Sequence, residues 1–189
     1  MSKLTVITPP GEPAVSLEAA KDYLRVGHTG EDELIEGIIQ AAIARLEQNA
    51  GLALVRQTVQ LIWHQWPSEM AGRGVRLPVS PIIGLSSVTI LSDDNVETDV
   101  TERFRIACGR LCLKPWSMLA RLNSGDRVKL EFEAGFGAAS EVPDDLQEAV
   151  LRLALGAYRG RQTGSAAAQK NGLPPEVQSI LDARRQVRL

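Results

Sequence analysis

Aromatic residues are scarce in this chain of 189 residues: three Trp, two Tyr and three Phe make up 4% of it. The hydrophobic fraction of 44% therefore rests on aliphatic side chains. With 23% charged residues the composition is that of an ordinary globular protein, long enough for one good core or for a core with an inserted subdomain. Histidine and cysteine occur twice each. Cys108 and Cys112 flank Gly109-Arg110-Leu111 with the spacing of a zinc half-site. Zinc needs four ligands, and His28 and His64 stand in unrelated contexts, so no metal site is expected and the cysteines read as reduced structural thiols. No apolar run reaches the length of a membrane span, and MSKLTVITPPGEP lacks the basic-then-apolar order of a secretory signal. Synthesis in the cytosol and no membrane partner are the expectations.

Motifs that carry chemistry are missing as well. The chain has no Walker pattern, nucleophile elbow, His-Glu-x-x-His or paired Cys-x-x-Cys. Gly135-x-Gly137 follows a strand and precedes a helix, as a phosphate loop would, but six residues separate Gly137 from Asp144 and the helix opens on acids that repel phosphate. Neither histidine stands near a plausible nucleophile. We expect no catalytic residue, no cofactor and no enzyme.

Acidic charge is unevenly placed. From Arg152 onward there are seven Lys or Arg against two acids, and before it 14 against 21, so an acidic body carries a basic tail. Such a tail suits a partner with an acidic groove, or binds nucleic acid, or is simply solvated.

Taken in order, LTVITPPGEPAV begins strand-like and is held extended by Pro9, Pro10 and Pro13, an arm that must lie along something. Ser16 caps a short helix over 17–24, and a second helix runs over 31–49, with Thr29 and Asp32 as an approximate capping box and Gly51 as the stop. Helix-turn-helix DNA recognition is disfavoured, because the second helix offers Glu31, Asp32, Glu33, Glu36 and Glu47 against one Arg45. From residue 53 the periodicity changes to two, with strands expected near 55–63, 75–79, 86–91, 104–107, 111–113 and 127–133, and a turn at 93–95. Trp116 lies in the loop before the last strand and reads as a hydrophobic plug over the sheet in preference to a binding anchor.

A long helix follows Pro143, with Asp144, Asp145 and Glu148 in its first turns and Arg159 and Arg161 in its last, the order the macrodipole favours. Leu146, Val150, Leu153 and Ala157 form one stripe, and Leu151, Leu155 and Tyr158 a second beside it. Two stripes are more than a surface helix needs, so the helix is central to its fold or shared with another subunit. Residues 162–172, small and polar, read as a flexible tether. A last helix then carries Val177, Ile180 and Leu181 on an apolar edge, ahead of Arg184, Arg185, Val187, Arg188 and Leu189. A basic amphipathic segment beyond a tether reads as a docking peptide, or as a helix folded back on its own domain.

The fold class expected is α+β. Its helical core is built from the N-terminal arm and two helices (1–52) and the central helix (135–161). An antiparallel β subdomain (53–134) is inserted, and a tethered C-terminal segment (162–189) follows.

Together, ITPPGEPAVSLEAAKDYLRV, GEDELIEGIIQAAIARLEQNAGLAL, WHQWP, VRLPVSPIIGLSSVTIL and VKLEFEAGFGAASEVPDDLQEAVLRLALGAYRGR resemble the head–tail connector (adaptor) proteins of long-tailed phages and of phage-derived gene transfer agents. The likeness runs from Ile7 to about Arg161 with the order of elements kept. It implies a structural protein at the head–tail junction of a virion or phage-like particle. Such adaptors form a homo-oligomeric ring, commonly of twelve copies, between a portal protein and a stopper or tail-completion protein, and DNA passes through without sequence-specific binding. On this reading Leu173, Val177, Ile180, Leu181, Arg184, Arg185, Val187, Arg188 and Leu189 dock on the portal, and Leu151, Leu155 and Tyr158 pack against a neighbouring subunit or the flanking helices. The other reading is a sequence-independent DNA-binding module that uses the basic C-terminal tail, with a steep salt dependence.

Overall fold

Strand-forming residues that alternate in pairs of faces, and helices bounded by serine and glycine, give an α+β chain. The computed structural model describes residues 3–94, 96–162 and 173–184. Its elements are β1 (Lys3–Thr8), α1 (Leu17–Leu24), α2 (Asp32–Ala50), β2 (Gln57–Trp63), β3 (Val75–Arg76), β4 (Ile82–Leu91), β5 (Glu97–Asp99), β6 (Phe104–Ala107), β7 (Arg110–Leu113), β8 (Arg127–Ala134), α3 (Asp144–Gln162) and α4 (Pro175–Arg184). They fall into two units, and the chain crosses between them after Pro10, after Val55 and after Gly135.

The sheet unit contains a five-stranded antiparallel sheet in the order β1-β2-β8-β4-β5 and a three-stranded one in the order β3-β7-β6. Alternation decides which side of the large sheet is buried. Val59, Leu61 and Trp63 of β2 stand on the same side as Val128, Leu130 and Phe132 of β8, and all six are buried. Met70, Leu77, Phe104 and Leu111 are buried in the same unit. The other side of the sheet is polar: Lys129 meets Glu97 at 3.2 Å, Gln60 donates to Glu131 at 3.3 Å, and Arg56 meets Glu133 at 2.6 Å. Trp66 stacks on Phe104 with ring centroids 5.4 Å apart and donates its indole N–H to the Ala120 carbonyl at 2.8 Å, so its polar tip is satisfied. The expected period-2 segments are strands of these sheets, and β5 and the separation into two sheets are additional to them.

The helical unit is held by α1, α2, α3 and α4 around Ile35, Ile39, Leu46, Leu146, Val150 and Val177. Ser16 caps α1, its hydroxyl accepting the Ala19 N–H at 3.2 Å. Gly51 ends α2 at φ 63°, a left-handed conformation that glycine adopts without a Cβ clash. The capping box expected from Thr29 and Asp32 does not form. Glu31 is the N-cap and makes no side-chain cap bond, its carboxylate accepting the Tyr158 hydroxyl instead, and the Asp32 carboxylate turns to Lys21 of α1 at 2.6 Å. The Glu47 carboxylate accepts the Leu54 N–H at 2.8 Å, and burial pushes its pKa up despite that bond.

Candidate functional site

In the glycine loop ahead of α3 the backbone N–H groups of Ala138 and Ala139 are already taken. Gly137 sits at φ 129°, and a Cβ built there would lie 1.9 Å from Glu141 Oε2. Glu141 Oε2 accepts the Ala138 N–H at 2.8 Å, and Glu12 Oε1 accepts the Ala139 N–H at 3.0 Å. Two of the chain's own carboxylates thus occupy the amides that a phosphate would need, which agrees with rejecting a nucleotide loop. The Glu12 bond also shows what the proline-rich arm lies along, and Ala14 and Val15 after it are buried in the helical core.

An open groove of about 560 Å³ lies in the helical unit. Tyr23, Arg25, His28, Leu155, Tyr158 and Arg159 line it. Serine, threonine, cysteine and carboxylate side chains are not among its described lining residues, so it brings no nucleophile beside a base. The second stripe of α3 finds its surroundings here: Tyr158 donates its hydroxyl to Glu31 Oε2 at 2.6 Å, and Arg161 stands 4.0 Å from the same carboxylate. Leu151 packs half-buried against the helical core, and Ala157 of the first stripe is exposed. Among the described residues no group of three or more His, Cys, Asp or Glu is placed to hold a metal ion, and no helix is long and apolar enough to cross a membrane.

The C-terminal helix lies back on its own unit. Val177 and Leu181 are buried in the helical core, and Leu173 and Ile180 are partly buried against it. Arg152 of α3 bridges Glu148 at 2.7 Å and reaches Glu176 of α4 at 3.4 Å, while Arg184 is paired with Asp145. Asp145 at the start of α3 meets the end of α4, and Arg152, two turns further on, meets its start, so the two helices run antiparallel. Of the tether expected over 162–172, Gln162 is instead the last residue of α3, and 163–172 lie outside the described residues, as do Arg185, Val187, Arg188 and Leu189.

The Arg184 guanidinium holds the Asp145 carboxyl below the usual aspartate range, chiefly through the hydrogen bond. A lowered folded-state pKa adds stability above the unfolded value of about 3.9 and loses it as pH falls through the folded value. Both groups are more than a third exposed, so solvent screening limits the pair to less than about 1 kcal/mol. Asp145→Asn is therefore expected to lower the melting temperature slightly at pH 7 and to match the parent chain in strongly acidic buffer. A difference that persisted there would mean the pair is not its source.

The exposed apolar side chains are elsewhere. Trp116, expected as a plug over the sheet, is fully exposed at φ 65°, and Met118 two residues on is also exposed. The plug is therefore corrected to a projecting side chain: Met70, Leu77, Phe104 and Leu111 are buried in the sheet unit, and Trp116 is not among its buried residues. Leu4, Val6 and Ile7 of β1 are exposed too, and the sequence reading did not single them out. Their signal was available in LTVIT, a strand-like run with no charged residue, but not its place at a sheet edge.

The described surface thus offers exposed aliphatic and aromatic side chains, while the loop amides ahead of α3 are filled internally. No family model and no curated protein matches the chain. Solved structures do. A chain of the virion of a native gene transfer agent particle is 26% identical with a TM-score of 0.80, covering 98% of this chain and 96% of that one. A chain from the neck of the empty particle computed with C6 symmetry is 26% identical at TM-score 0.80, covering 99% and 97%. One from the neck of the native particle computed with C12 symmetry is 25% identical at TM-score 0.74, again covering 99% and 97%. The resemblance to head–tail connectors read from the sequence stands, since the similar chains are virion and neck components of gene transfer agent particles.

Proposed function

We propose that this protein is a structural head–tail adaptor. Copies of it form a ring, of about twelve, between the capsid portal and the stopper or tail-completion protein, and DNA passes through the channel. The observation that carries this reading is the match over nearly the whole chain to neck chains from particles computed with C6 and C12 symmetry. The C-terminal segment 173–189 supplies the portal contact. Because Val177 and Leu181 are core residues of the helical unit, α4 serves as its anchor and the run Arg185, Val187, Arg188, Leu189 as the part offered to the portal. Arg152, Arg161 and Arg184 of the basic stretch from Arg152 onward all stand near carboxylates of their own unit, which weighs against the DNA-binding module.

Native mass of the full chain, alone and mixed with its cognate portal protein, tests the reading. A stoichiometric ring complex is expected. A chain that stayed monomeric with the portal and shifted on duplex DNA would overturn it. Truncation after Arg184 is expected to abolish the portal complex and leave the melting temperature unchanged; undiminished binding would remove the docking role of the terminal run.

A further inference from the structure

The two edges of the five-stranded sheet differ in length and in the apolar surface they expose. β5 is three residues long, carries Glu97 and Asp99, and has Glu97 paired to Lys129 at 3.2 Å. Short length and charge are how a protein keeps other strands from adding to an edge. β1 has six residues, and between Leu4 and Thr8 none is charged and none is proline. Its protection is confined to its ends, where Lys3 opens the strand, a bulge falls at Ile7 and Pro9-Pro10 follow, so Leu4, Thr5 and Val6 remain an uncharged exposed stretch.

Register shows where its side chains belong. Leu4 stands opposite Leu61, which stands opposite Leu130, which stands opposite Val88; Val6 likewise continues the row of Val59 and Phe132. Directly opposed residues share a side of the sheet. Each apolar row is buried until it reaches the edge: Leu61 and Val59 are 3% and 1% exposed, and Leu4 and Val6 are 45% and 47% exposed. The buried side of the sheet therefore extends one strand beyond its cover. Ile7, the extra residue of a bulge between Val6 and Thr8, is 45% exposed as well.

The geometry points to β1 as the surface on which each copy receives the next copy of this chain in the ring, with the loop that bears Trp116 and Met118 as the part of the neighbour that covers Leu4, Val6 and Ile7. The inference rests on the ring proposed above. A cyclic ring requires two different, complementary patches on every copy, since pairing β1 with another β1 would close a two-fold dimer. β5 is the protected edge and is excluded as the second patch. Trp116 and Met118 are the two most exposed large apolar side chains among the described residues, and they stand two positions apart. A projecting aromatic and a flexible thioether are suited to filling an apolar shelf.

The experiment uses the full chain with its cognate portal and reads ring formation by native mass. Val6→Lys places a charge on an exposed residue, so the melting temperature of the free protein should not change, while ring formation should weaken by about tenfold or more because the charge is buried without a partner in the interface. Met118→Glu is expected to do the same. The chain carrying both Val6→Lys and Met118→Glu should recover assembly, since the two charges then face each other across the interface. If the parent chain gives no ring, the adaptor reading fails independently of β1. If the parent chain assembles and Val6→Lys assembles equally well, β1 is overturned as the surface. Two defective single variants without recovery in the double overturn the Trp116 loop as the occupant.

Discussion

Val177→Asp is expected to cost about 4 kcal/mol or more and to unfold the helical unit at moderate temperature. Val177 is fully buried, so the new carboxylate would lie among Leu and Ile side chains with no described cation placed to receive it. Placed six residues on, at the exposed Ala183, the same change should stay within about 0.5 kcal/mol of the parent chain. The pair, followed by urea unfolding, separates a helix that completes a core from one that merely rests on it. Equal and small effects would mean that α4 detaches without consequence. The same reasoning bears on truncation. Removing residues 173–189 takes Val177 and Leu181 out of the core, so loss of portal binding in that deletion would not identify a docking contact, whereas removal of 185–189 would.

The second large effect is expected at Gly137. An alanine there must hold φ near 129° and bring its Cβ within 1.9 Å of the present position of Glu141 Oε2. Since the carboxylate is the far end of a flexible side chain it can move, but in moving it gives up the Ala138 N–H. The backbone strain and the lost bond together should cost about 2–3 kcal/mol. A double variant, Gly137→Ala with Glu141→Ala, isolates the two causes: its loss should fall short of the sum of the single losses, because the clash and the broken bond are then counted once. Full additivity in urea unfolding would show that the carboxylate and the glycine act separately.

What could be read in advance was whatever the chain decides locally. Ser16 ahead of an apolar helix and Gly51 after one mark ends by their own backbone chemistry, and both stand where expected. The period-2 runs became strands for the same reason. Thr29 and Asp32 show where local reasoning stops, because the spacing was suitable and yet Lys21, eleven residues earlier, made the better partner for Asp32. Trp116 shows it again. A tryptophan's size says that it will contact apolar surface somewhere, and the sequence cannot say whether that surface belongs to the same molecule. For α4 the spacing of Val177, Ile180 and Leu181 gave the apolar edge correctly, but the burial of that edge against its own core is a fact of tertiary structure. β1 is the hardest case. Its strand character is visible, while its place at a sheet edge depends on partners at residues 58–62, fifty or more positions along the chain.

The three crossings of the chain bear on how the protein is made. β1 must wait for β2, and β2 for β8, whose residues emerge from the ribosome about seventy positions later. In the same way α1 and α2, complete by Ala50, pack on an α3 that begins only at Asp144. Neither unit is a contiguous length of polypeptide, so neither can close while the chain is still being synthesised through its middle. Both should fold late, slowly and nearly together, as expected where most stabilising contacts span long stretches of sequence. Until then the LTVIT run is held open by the order of translation alone, and a nascent chain is more exposed to strand-mediated clumping than the finished protein.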